Sequence, residues 1–324
     1  MSTDQITIVL PVYGRPKLLS QALNSVYRQD DPAWRLLIAD DGSDQTTSVL
    51  IQQQKSDPRV TVVRRPKNVG LFGNLNAALD DIHTAWQLIL CSDDILLPTA
   101  ISSLKRSISS SPHSRLILSS YFSINAKGQR RFDINSQFYD CFAPETTLFT
   151  GSAMLEHLLH YGSVNGNITG MLINNTLFSD VGFWRTGWRQ ASDWEWIVRA
   201  CSATPVLVRR EPIAEVRVHD AQLSESNRKD HLESLEVLEV LQLLLHHPQL
   251  QHCQRRFIWA AYHSQFILWN TLKAFPALGL KKSVLLIVSI NNSVGLLVTL
   301  KVFLALLPRR VKVRFTHGAL LPLC

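Results

Sequence analysis

The sequence predicts an α/β fold, a mostly parallel sheet flanked by helices, with a helical region at the C-terminal end. Short apolar runs alternate with helix-like stretches in the first half of the chain, as in a parallel sheet with crossover helices. The runs start about 25–29 residues apart, which leaves room for a strand, a loop and a helix of about three turns in each unit. The last third contains long apolar stretches of helical length. We therefore expect a doubly wound sheet followed by helices.

Each element is expected from its own pattern. Strands are predicted where apolar and β-branched residues stand together, and helices where apolar residues recur on one face. The four N-terminal strands are predicted at 6–10, 35–39, 60–63 and 87–90. The helical stripes between them comprise Leu18, Leu19, Ala22 and Val26, and then Leu71, Leu75, Ala78, Leu79 and Ile82. Further along we predict an irregular loop at 123–149, a helix at 153–160, a strand at 170–173 and helices at 231–247 and 256–275.

Length and composition exclude several classes of protein. A chain of 324 residues is too long for a minimal binding module, and 46% hydrophobic with 18% charged residues is too apolar for a disordered chain. The five cysteines are far apart and form no Cys-x-x-Cys pair, which disfavours a disulfide framework and a structural zinc site. This cysteine pattern fits a reducing cytosol. Residues 1–6 contain no basic segment leading into an apolar one, so we expect no secretory signal.

The charge balance indicates an anionic partner. The net charge is +7, and much of the surplus lies late in the chain, at 281–282 and 309–314. Nucleic acid, an anionic membrane surface and a phosphorylated substrate all satisfy this balance. A nucleic-acid surface should interleave basic and aromatic residues, whereas this basic cluster adjoins a long apolar stretch. We therefore expect a lipid surface as a partner and no nucleic acid.

Polar residues and turn formers follow each of the four N-terminal strands. The segments are 11–15, 40–43, 64–68 and 92–94. In an open α/β sheet the carboxyl ends of the strands form one edge, where ligands bind. Each segment alone is also consistent with an ordinary turn or a helix cap. Because all four strands end in this way, we expect the segments to converge on a ligand.

Five segments, in order over roughly residues 5–225, resemble glycosyltransferase family 2, the inverting enzymes with a GT-A fold that use nucleotide sugars. The first strand with Pro11-Val12-Tyr13-Gly14-Arg15 is similar to the family's nucleotide-contacting turn, and Asp40-Asp41-Gly42-Ser43 to the turn whose aspartate meets the base. Asn68-Val69-Gly70-Leu71, with Asn76, is similar to the Asn-x-Gly segment before a helix. Cys91-Ser92-Asp93-Asp94 is similar to the Asp-x-Asp strand end, and Ser192-Asp193-Trp194-Glu195 to the helix start that carries the catalytic base.

The resemblance implies a site for a nucleotide diphosphate sugar, with a UDP- or dTDP-sugar expected as donor. It also implies a divalent cofactor, Mn²⁺ or Mg²⁺, because hard cations take oxygen ligands and act as Lewis acids on a departing diphosphate. Asp93 and Asp94 are the expected metal ligands, and His219 is expected to bind the metal or to contact the diphosphate. The residues expected to bind the nucleotide sugar are Pro11, Val12, Tyr13, Arg15, Asp40, Asp41, Asn68, Gly70 and Asp93.

The sequence departs from the family's pattern at two positions. Cys91 replaces the first aspartate of Asp-x-Asp, if the apolar residues 95–98 fix the register, which leaves open which carboxylate meets the ribose and which the metal. Leu75 stands where the family frequently has Arg.

Inversion requires one base opposite the leaving group. Asp193, at an apparent helix start, is expected to be that base. Glu195 is the alternative base, and a helix cap is the alternative role for Asp193.

The chain is expected to divide into a catalytic domain, residues 1–228, and a helical region, residues 229–324. Residues 283–307 are long enough for a tilted membrane helix, although Asn291, Asn292 and Lys301 interrupt them. Basic residues on both sides favour a helix lying in the interface of an anionic membrane. The alternatives are a spanning helix, a hairpin packed on the catalytic domain and an oligomer contact. We expect a peripheral location on the cytoplasmic face of the inner membrane.

Together these features predict an inverting, metal-dependent hexosyltransferase that acts on a saccharide or lipid-linked saccharide in bacterial-type surface polysaccharide assembly. A catalytically degenerate, membrane-bound scaffold is the alternative, suggested by Cys91. A nicotinamide dehydrogenase or a nucleotidylyltransferase would carry a glycine-rich first turn, which is absent between the first strand and Pro16.

Overall fold

The computed structural model describes residues 2–131, 142–163, 168–219 and 232–316. Residues 132–141 of the predicted loop and the predicted domain boundary after residue 228 lie outside the described residues. The chain divides into two compact units, one of residues 1–151 and 165–222, the other of residues 152–164 and 223–324. The boundary at 228 remains a prediction.

The first unit is built on a mixed sheet. Its strands are β1 (Ser2–Val12), β2 (Trp34–Asp40), β3 (Val60–Arg64), β4 (Thr84–Ile89), β5 (Ile95–Leu96), β6 (Leu116–Ile124), β7 (Thr147–Phe149), β8 (Met171–Asn174) and β9 (Val206–Arg217). Among the described residues the order is β3-β2-β1-β4-β8-β6-β9-β5, and β7 also pairs with β9. The first four strands pair in parallel at the predicted positions, whereas β8 runs antiparallel to both neighbours. The predicted fold class is confirmed.

Helices connect the strands of the first unit. They are α1 (Pro16–Tyr27), α2 (Gln45–Gln53), α3 (Leu71–Ala78), α4 (Ala100–Ser110), α5 (Gly151–Tyr161), α6 (Thr176–Val181) and α7 (Ser192–Ala200), of which α5 continues into the second unit. Three residues of the predicted stripe of α1, Leu19, Ala22 and Val26, are 0% exposed, whereas Leu18 is half-buried. In β1, Ile8, Val9 and Leu10 are also 0% exposed, because a parallel strand is covered on both faces.

The second unit is helical. Besides most of α5 it contains α8 (Leu232–Leu245), α9 (Arg256–Ser293) and α10 (Leu296–Thr316). Helices α9 and α10 pack on each other: the Ser264 and Thr299 hydroxyl oxygens lie 2.8 Å apart, and the Trp269 and Phe303 rings are 6.0 Å apart. The predicted helix at 231–247 corresponds to α8, which ends at Leu245, and the one at 256–275 is the first part of α9, which continues to Ser293.

The apolar segment 283–307, which contains one charged residue, Lys301, is not one helix. Helix α9 ends at Ser293 and α10 begins at Leu296, because Gly295 adopts a positive φ of 102° and its N–H bonds to the Ile290 carbonyl, which closes the first helix. Helix α9 is itself kinked at Gly279 (φ 72°, ψ 170°), shortly after Pro276, which cannot donate a helical hydrogen bond. By length and composition α9 qualifies among the described helices as a membrane span, a property it shares with core helices of soluble proteins.

Gly151, at the start of α5, is required by a close approach of two backbones. A Cβ atom there would lie 1.9 Å from the carbonyl oxygen of Cys201, so Gly151→Ala forces the backbone to move. We expect a loss of about 1–3 kcal/mol of unfolding free energy, as for other overpacking substitutions, measured as a shift of the denaturant midpoint.

Gly73→Ala in α3 is the matched control, because its Cβ would only touch the Val69 side chain at 3.4 Å. The control should be neutral or stabilise by up to about 1 kcal/mol, the helix-propensity difference. Equal midpoints for the two variants would contradict the close approach at Gly151.

Candidate active site

The loops that follow the first four strands meet at one edge of the sheet. The Gly14 N–H donates to the Ser43 hydroxyl (3.1 Å), which joins the first loop to the second. A Cβ on Gly42 would lie 3.2 Å from the Asn68 nitrogen, so the second and third loops are in contact. Arg15 joins the first loop to the fourth, with its Nη1 3.0 Å from Asp93 Oδ2. The structure thus brings the four predicted segments together.

Two buried carboxylates hold the second and third loops in shape. Asp41 accepts hydrogen bonds from the N–H groups of Val69 (2.8 Å) and Gly70 (3.0 Å), and burial raises the pKa of its carboxyl. Asp40 accepts from the Ser43 N–H (2.9 Å) and lies 3.6 Å from Arg64 Nε. All of these hydrogen-bond and ion-pair partners are groups of the protein. The predicted contact of Asp40 or Asp41 with a nucleotide therefore remains a prediction.

The remaining residues expected to bind the nucleotide sugar lie on the same loops. Pro11 and Val12 are the buried end of β1, and Tyr13 follows with a 60% exposed side chain. The Asn68 side-chain oxygen accepts a hydrogen bond from the Gly70 N–H (3.0 Å). An exposed aromatic ring at this edge offers a face on which a nucleobase could stack.

The turn after β4 contains a buried carboxylate with polar partners on both oxygens. Asp94 accepts from the Thr169 hydroxyl (2.5 Å) on Oδ2 and from the Arg217 N–H (2.8 Å) on Oδ1. Residues Ile95–Leu96 form β5, and the cap of the following helix is Thr99. The alternative in which the two aspartates cap that helix is therefore wrong.

Asp93 faces two cationic or potentially cationic groups. Its Oδ2 lies 3.0 Å from Arg15 Nη1 and 3.1 Å from His219 Nε2. Among the described residues, Arg15 is the one non-glycine with a positive φ, 59°. Non-glycine residues adopt this conformation at an energetic cost and do so mainly where the surroundings require it. Arg15 therefore combines a strained backbone with an ion pair to Asp93.

Three acidic groups crowd together in this turn. The ligand atoms of Cys91, Asp93 and Asp94 all lie within 4.8 Å of one another. Burial, and secondly the neighbouring Asp93, raise the pKa of Asp94 to about 8, although the Thr169 and Arg217 hydrogen bonds act in the opposite direction. Burial and both aspartates also raise the pKa of the Cys91 thiol. Asp193 makes the smallest contribution to the same shift, so its carboxylate lies within electrostatic range of the Cys91 thiol.

The two candidate bases lie on the same helix in different surroundings. Asp193 is in the first turn of α7, whose cap is Ala191, and accepts a hydrogen bond from the Trp194 N–H (2.8 Å). Glu195 is 1% exposed and bonds to Arg199 through both oxygens (2.9 and 2.8 Å) and to Arg185 (3.1 Å). Glu195 therefore anchors two arginines, and the assignment of the base to Asp193 remains a prediction.

Two residues that matter to the turn have no role in the sequence prediction. Thr169 bridges it, donating to Asp94 while accepting from the Cys91 N–H (2.9 Å). Arg217 is 1% exposed and donates through Nε to the Asp93 carbonyl (2.9 Å) and through Nη2 to Gln21 Oε1 (2.7 Å). The sequence pattern could have indicated a buried role for Arg217, because an arginine between two valines at the end of a strand is unusual. A single threonine such as Thr169 gives no comparable indication.

Arg217→Lys should destabilise the protein, because one ammonium group cannot replace the separate donors to Asp93, Gln21 and the carbonyls of Asn125 and Ala126. Leaving buried acceptors unpaired costs about 1–3 kcal/mol of unfolding free energy, measured by denaturant titration. Arg35→Lys is the control, since its donors are at the surface, and should change stability by less than about 0.5 kcal/mol. Equal stabilities would mean that Arg217 does not hold the turn.

The fold and the acidic strand-end turn define a protein of the GT-A class. Two solved structures share the fold: TarS residues 1–349 of S. aureus in complex with UDP-GlcNAc (TM-score 0.67, 15% identity, 89% of this chain and 80% of that one), and the mannosyltransferase PcManGT of Pyrobaculum calidifontis in complex with GDP-Man and Mn²⁺ (TM-score 0.58, 13% identity, 97% and 88%). Residues 7–178 match the family model described as glycosyl transferase family 2. The chain belongs to this family.

Among curated proteins, one similar sequence is the GalNAc(5)-diNAcBac-PP-undecaprenol beta-1,3-glucosyltransferase of Campylobacter jejuni. It is 32% identical over 102 residues, which are 31% of this chain and 33% of that protein. Across the first curated relatives that it matches, the chain spans between 20% and 36% of their length.

Proposed function

We propose that the chain is an inverting, metal-dependent glycosyltransferase that moves a sugar from a nucleotide diphosphate sugar to a saccharide or lipid-linked saccharide acceptor. The observation that carries the proposal is the acidic turn of Asp93 and Asp94 at the edge of the sheet, with Arg15 and His219 on one carboxylate and Asp193 close by. Family membership and the undecaprenol-linked substrate in the name of the Campylobacter jejuni relative support the reaction and the acceptor class.

The turn fits a hard divalent cation. Asp93 and Asp94 would hold Mn²⁺ or Mg²⁺ through oxygen, with His219 as the proposed third ligand. Burial keeps the Cys91 thiol protonated, so it offers no thiolate to a soft metal. Burial and the adjacent Asp93 raise the pKa of Asp94, and a bound dication would favour its charged form. When bound, the ion acts as a Lewis acid on the departing diphosphate.

Three side chains have separate proposed roles in the reaction. Asp193 takes the proton of the acceptor hydroxyl, whose oxygen attacks the anomeric carbon, while the bond to the diphosphate oxygen breaks on the opposite face and its electron pair leaves with the nucleotide. Arg15, whose side chain is 37% exposed, is proposed to contact the diphosphate. Glu195 holds Arg185 and Arg199 and so fixes the segment that precedes α7.

The donor and the location are also proposed. TarS was solved with UDP-GlcNAc, which is compatible with the expected UDP- or dTDP-sugar. A lipid-linked acceptor would place the enzyme at the cytoplasmic face of the inner membrane, in bacterial-type surface polysaccharide assembly. The degenerate scaffold suggested by Cys91 predicts no metal-dependent hydrolysis of any nucleotide sugar beyond that of an Asp93→Ala control.

Asp193→Asn should abolish transfer and leave nucleotide binding intact, because the amide cannot accept the proton and does not alter the donor site. Removing a general base lowers kcat by about 10²–10⁴-fold. The measurement is transfer from a panel of nucleotide sugars to a lipid extract, with nucleotide affinity measured by calorimetry.

Glu195→Gln is the matched control on the same helix. It weakens a buried pair with two arginines and should lower stability by about 3–5 kcal/mol, while the folded fraction still turns over. Turnover by the Asp193→Asn variant, together with loss of turnover in folded Glu195→Gln, would mean that Glu195 is the base and Asp193 is not.

Mn²⁺ affinity should rise with pH up to about 8. The pKa of Asp94 is raised to about 8, so below that pH its carboxyl is neutral and the metal must displace a proton. The logarithm of the binding constant should therefore increase by about one per pH unit between pH 6 and 8, and then level off.

Calorimetric titration with Mn²⁺ at several pH values measures this slope, and buffers of different ionisation enthalpy count the released proton. Asp94→Asn is the control and should bind Mn²⁺ more weakly with no such slope. A pH-independent affinity in the unsubstituted protein would remove Asp94 from the proposed metal site.

A further inference from the structure

The second unit exposes two stripes of apolar side chains. After the kink at Gly279, helix α9 presents Leu280, Val284 and Val288, spaced four residues apart and 47–68% exposed. Helix α10 presents Leu297, Leu300 and Leu304, which are 38–70% exposed. We refer to these six residues as the apolar stripes.

The stripes are additional to the faces that these helices bury. On α9, Leu286 and Ile290 are 4% and 0% exposed, and on α10, Phe303 and Leu306 are 9% and 5% exposed. A surface helix of a soluble protein has one apolar face and turns polar residues outward. Here the outward face is apolar as well. Clustered exposed apolar residues of this kind mark interaction sites.

The charge of the region indicates what covers the stripes. Residues 240–324 contain no Asp or Glu and ten of the 33 Lys and Arg residues, a formal charge of +10 against −3 for the residues before them. Lys281 and Lys282 are exposed beside Leu280, and Lys301 is exposed between Leu300 and Leu304. Lysines therefore lie among the exposed apolar side chains themselves.

We propose that the apolar stripes, with Lys281, Lys282 and Lys301, form a docking surface for an anionic lipid bilayer. Leucine and valine enter the acyl boundary while lysine ammonium groups reach the anionic headgroups. A second copy of this chain is a poor partner, because pairing the same surface with itself would bring the lysines of both copies together.

The segments that carry the stripes lie in the interface, because each is too short to cross a membrane. The apolar part of α10, Leu296–Pro308, has 13 residues and is about 20 Å long. The part of α9 after the kink, residues 280–293, has 14 residues and is about 21 Å long, short of a hydrocarbon core of about 30 Å. The chain then leaves the helix at Val294 and Gly295, next to the exposed Asn291 and Asn292. Such an interruption is not tolerated facing lipid in the core, whereas headgroups and water satisfy it at the surface. The proposal goes beyond the transfer reaction and does not depend on it.

Vesicle cosedimentation of the full chain tests the proposal. The protein should pellet with vesicles of phosphatidylcholine and phosphatidylglycerol and far less with phosphatidylcholine alone, with binding weakened by salt. Lys281→Gln combined with Lys282→Gln should lower the partition coefficient on anionic vesicles roughly 25-fold, since each basic residue near the surface contributes about fivefold. Leu297→Glu combined with Leu304→Glu should lower it about tenfold or more.

Val49→Glu is the matched control, a 49% exposed apolar residue of α2 in the first unit, and should bind vesicles like the unsubstituted protein. Circular dichroism melting verifies that each variant is folded. Equal binding by all folded variants, or equal binding to neutral and anionic vesicles, would overturn the proposal. So would a dimer in gel filtration that Leu297→Glu with Leu304→Glu converts to monomer. Because the experiment measures vesicle binding, its outcome does not depend on whether the chain transfers sugar.

Discussion

The candidate site depends on one buried carboxylate, that of Asp94. Its two oxygens receive the Thr169 hydroxyl and the Arg217 backbone N–H, and so tie the turn after β4 to the loop before β8 and to the end of β9. Arg217 adds a second tie through the Asp93 carbonyl, and Gln21 connects the same guanidinium to α1. Segments more than a hundred residues apart are thereby fixed around one short turn.

That arrangement crowds acidic groups together, so that one of them, Asp94, resists ionisation. Arg15 and His219 both approach Asp93, yet the pKa of Asp94 stays raised because burial and the adjacent Asp93 outweigh its hydrogen bonds. A fold optimised for stability alone would not keep two carboxylates and a thiol so close together. Carboxylates in such surroundings are typical of sites that bind a cation. By contrast, the buried Glu195 is balanced by two arginines, which is typical of a structural ion pair.

Much of the site could be predicted from the sequence because its parts are local. Each strand end carries its own polar segment, so Asp40, Asp93 and Asp94 were visible as residues that follow apolar runs. The roles of Asp193 and Glu195 could not be separated, since they are two residues apart on one helix and differ only in what packs on them. Thr169 and Gln21 were not visible, because their importance lies in contacts with distant residues.

The sequence by itself determined the α/β class, the positions of the first four strands and the meeting of their polar ends, because hydrophobic period and strand-end chemistry are local properties. Only the tertiary structure decided that β8 runs antiparallel, that Ile95–Leu96 is a strand, and that residues 283–307 belong to two helices. These features depend on long-range pairing and on backbone angles at single glycines, which apolar content does not encode. The hydropathy of a segment indicates how much apolar surface it can bury. The tertiary structure determines which other segments cover that surface.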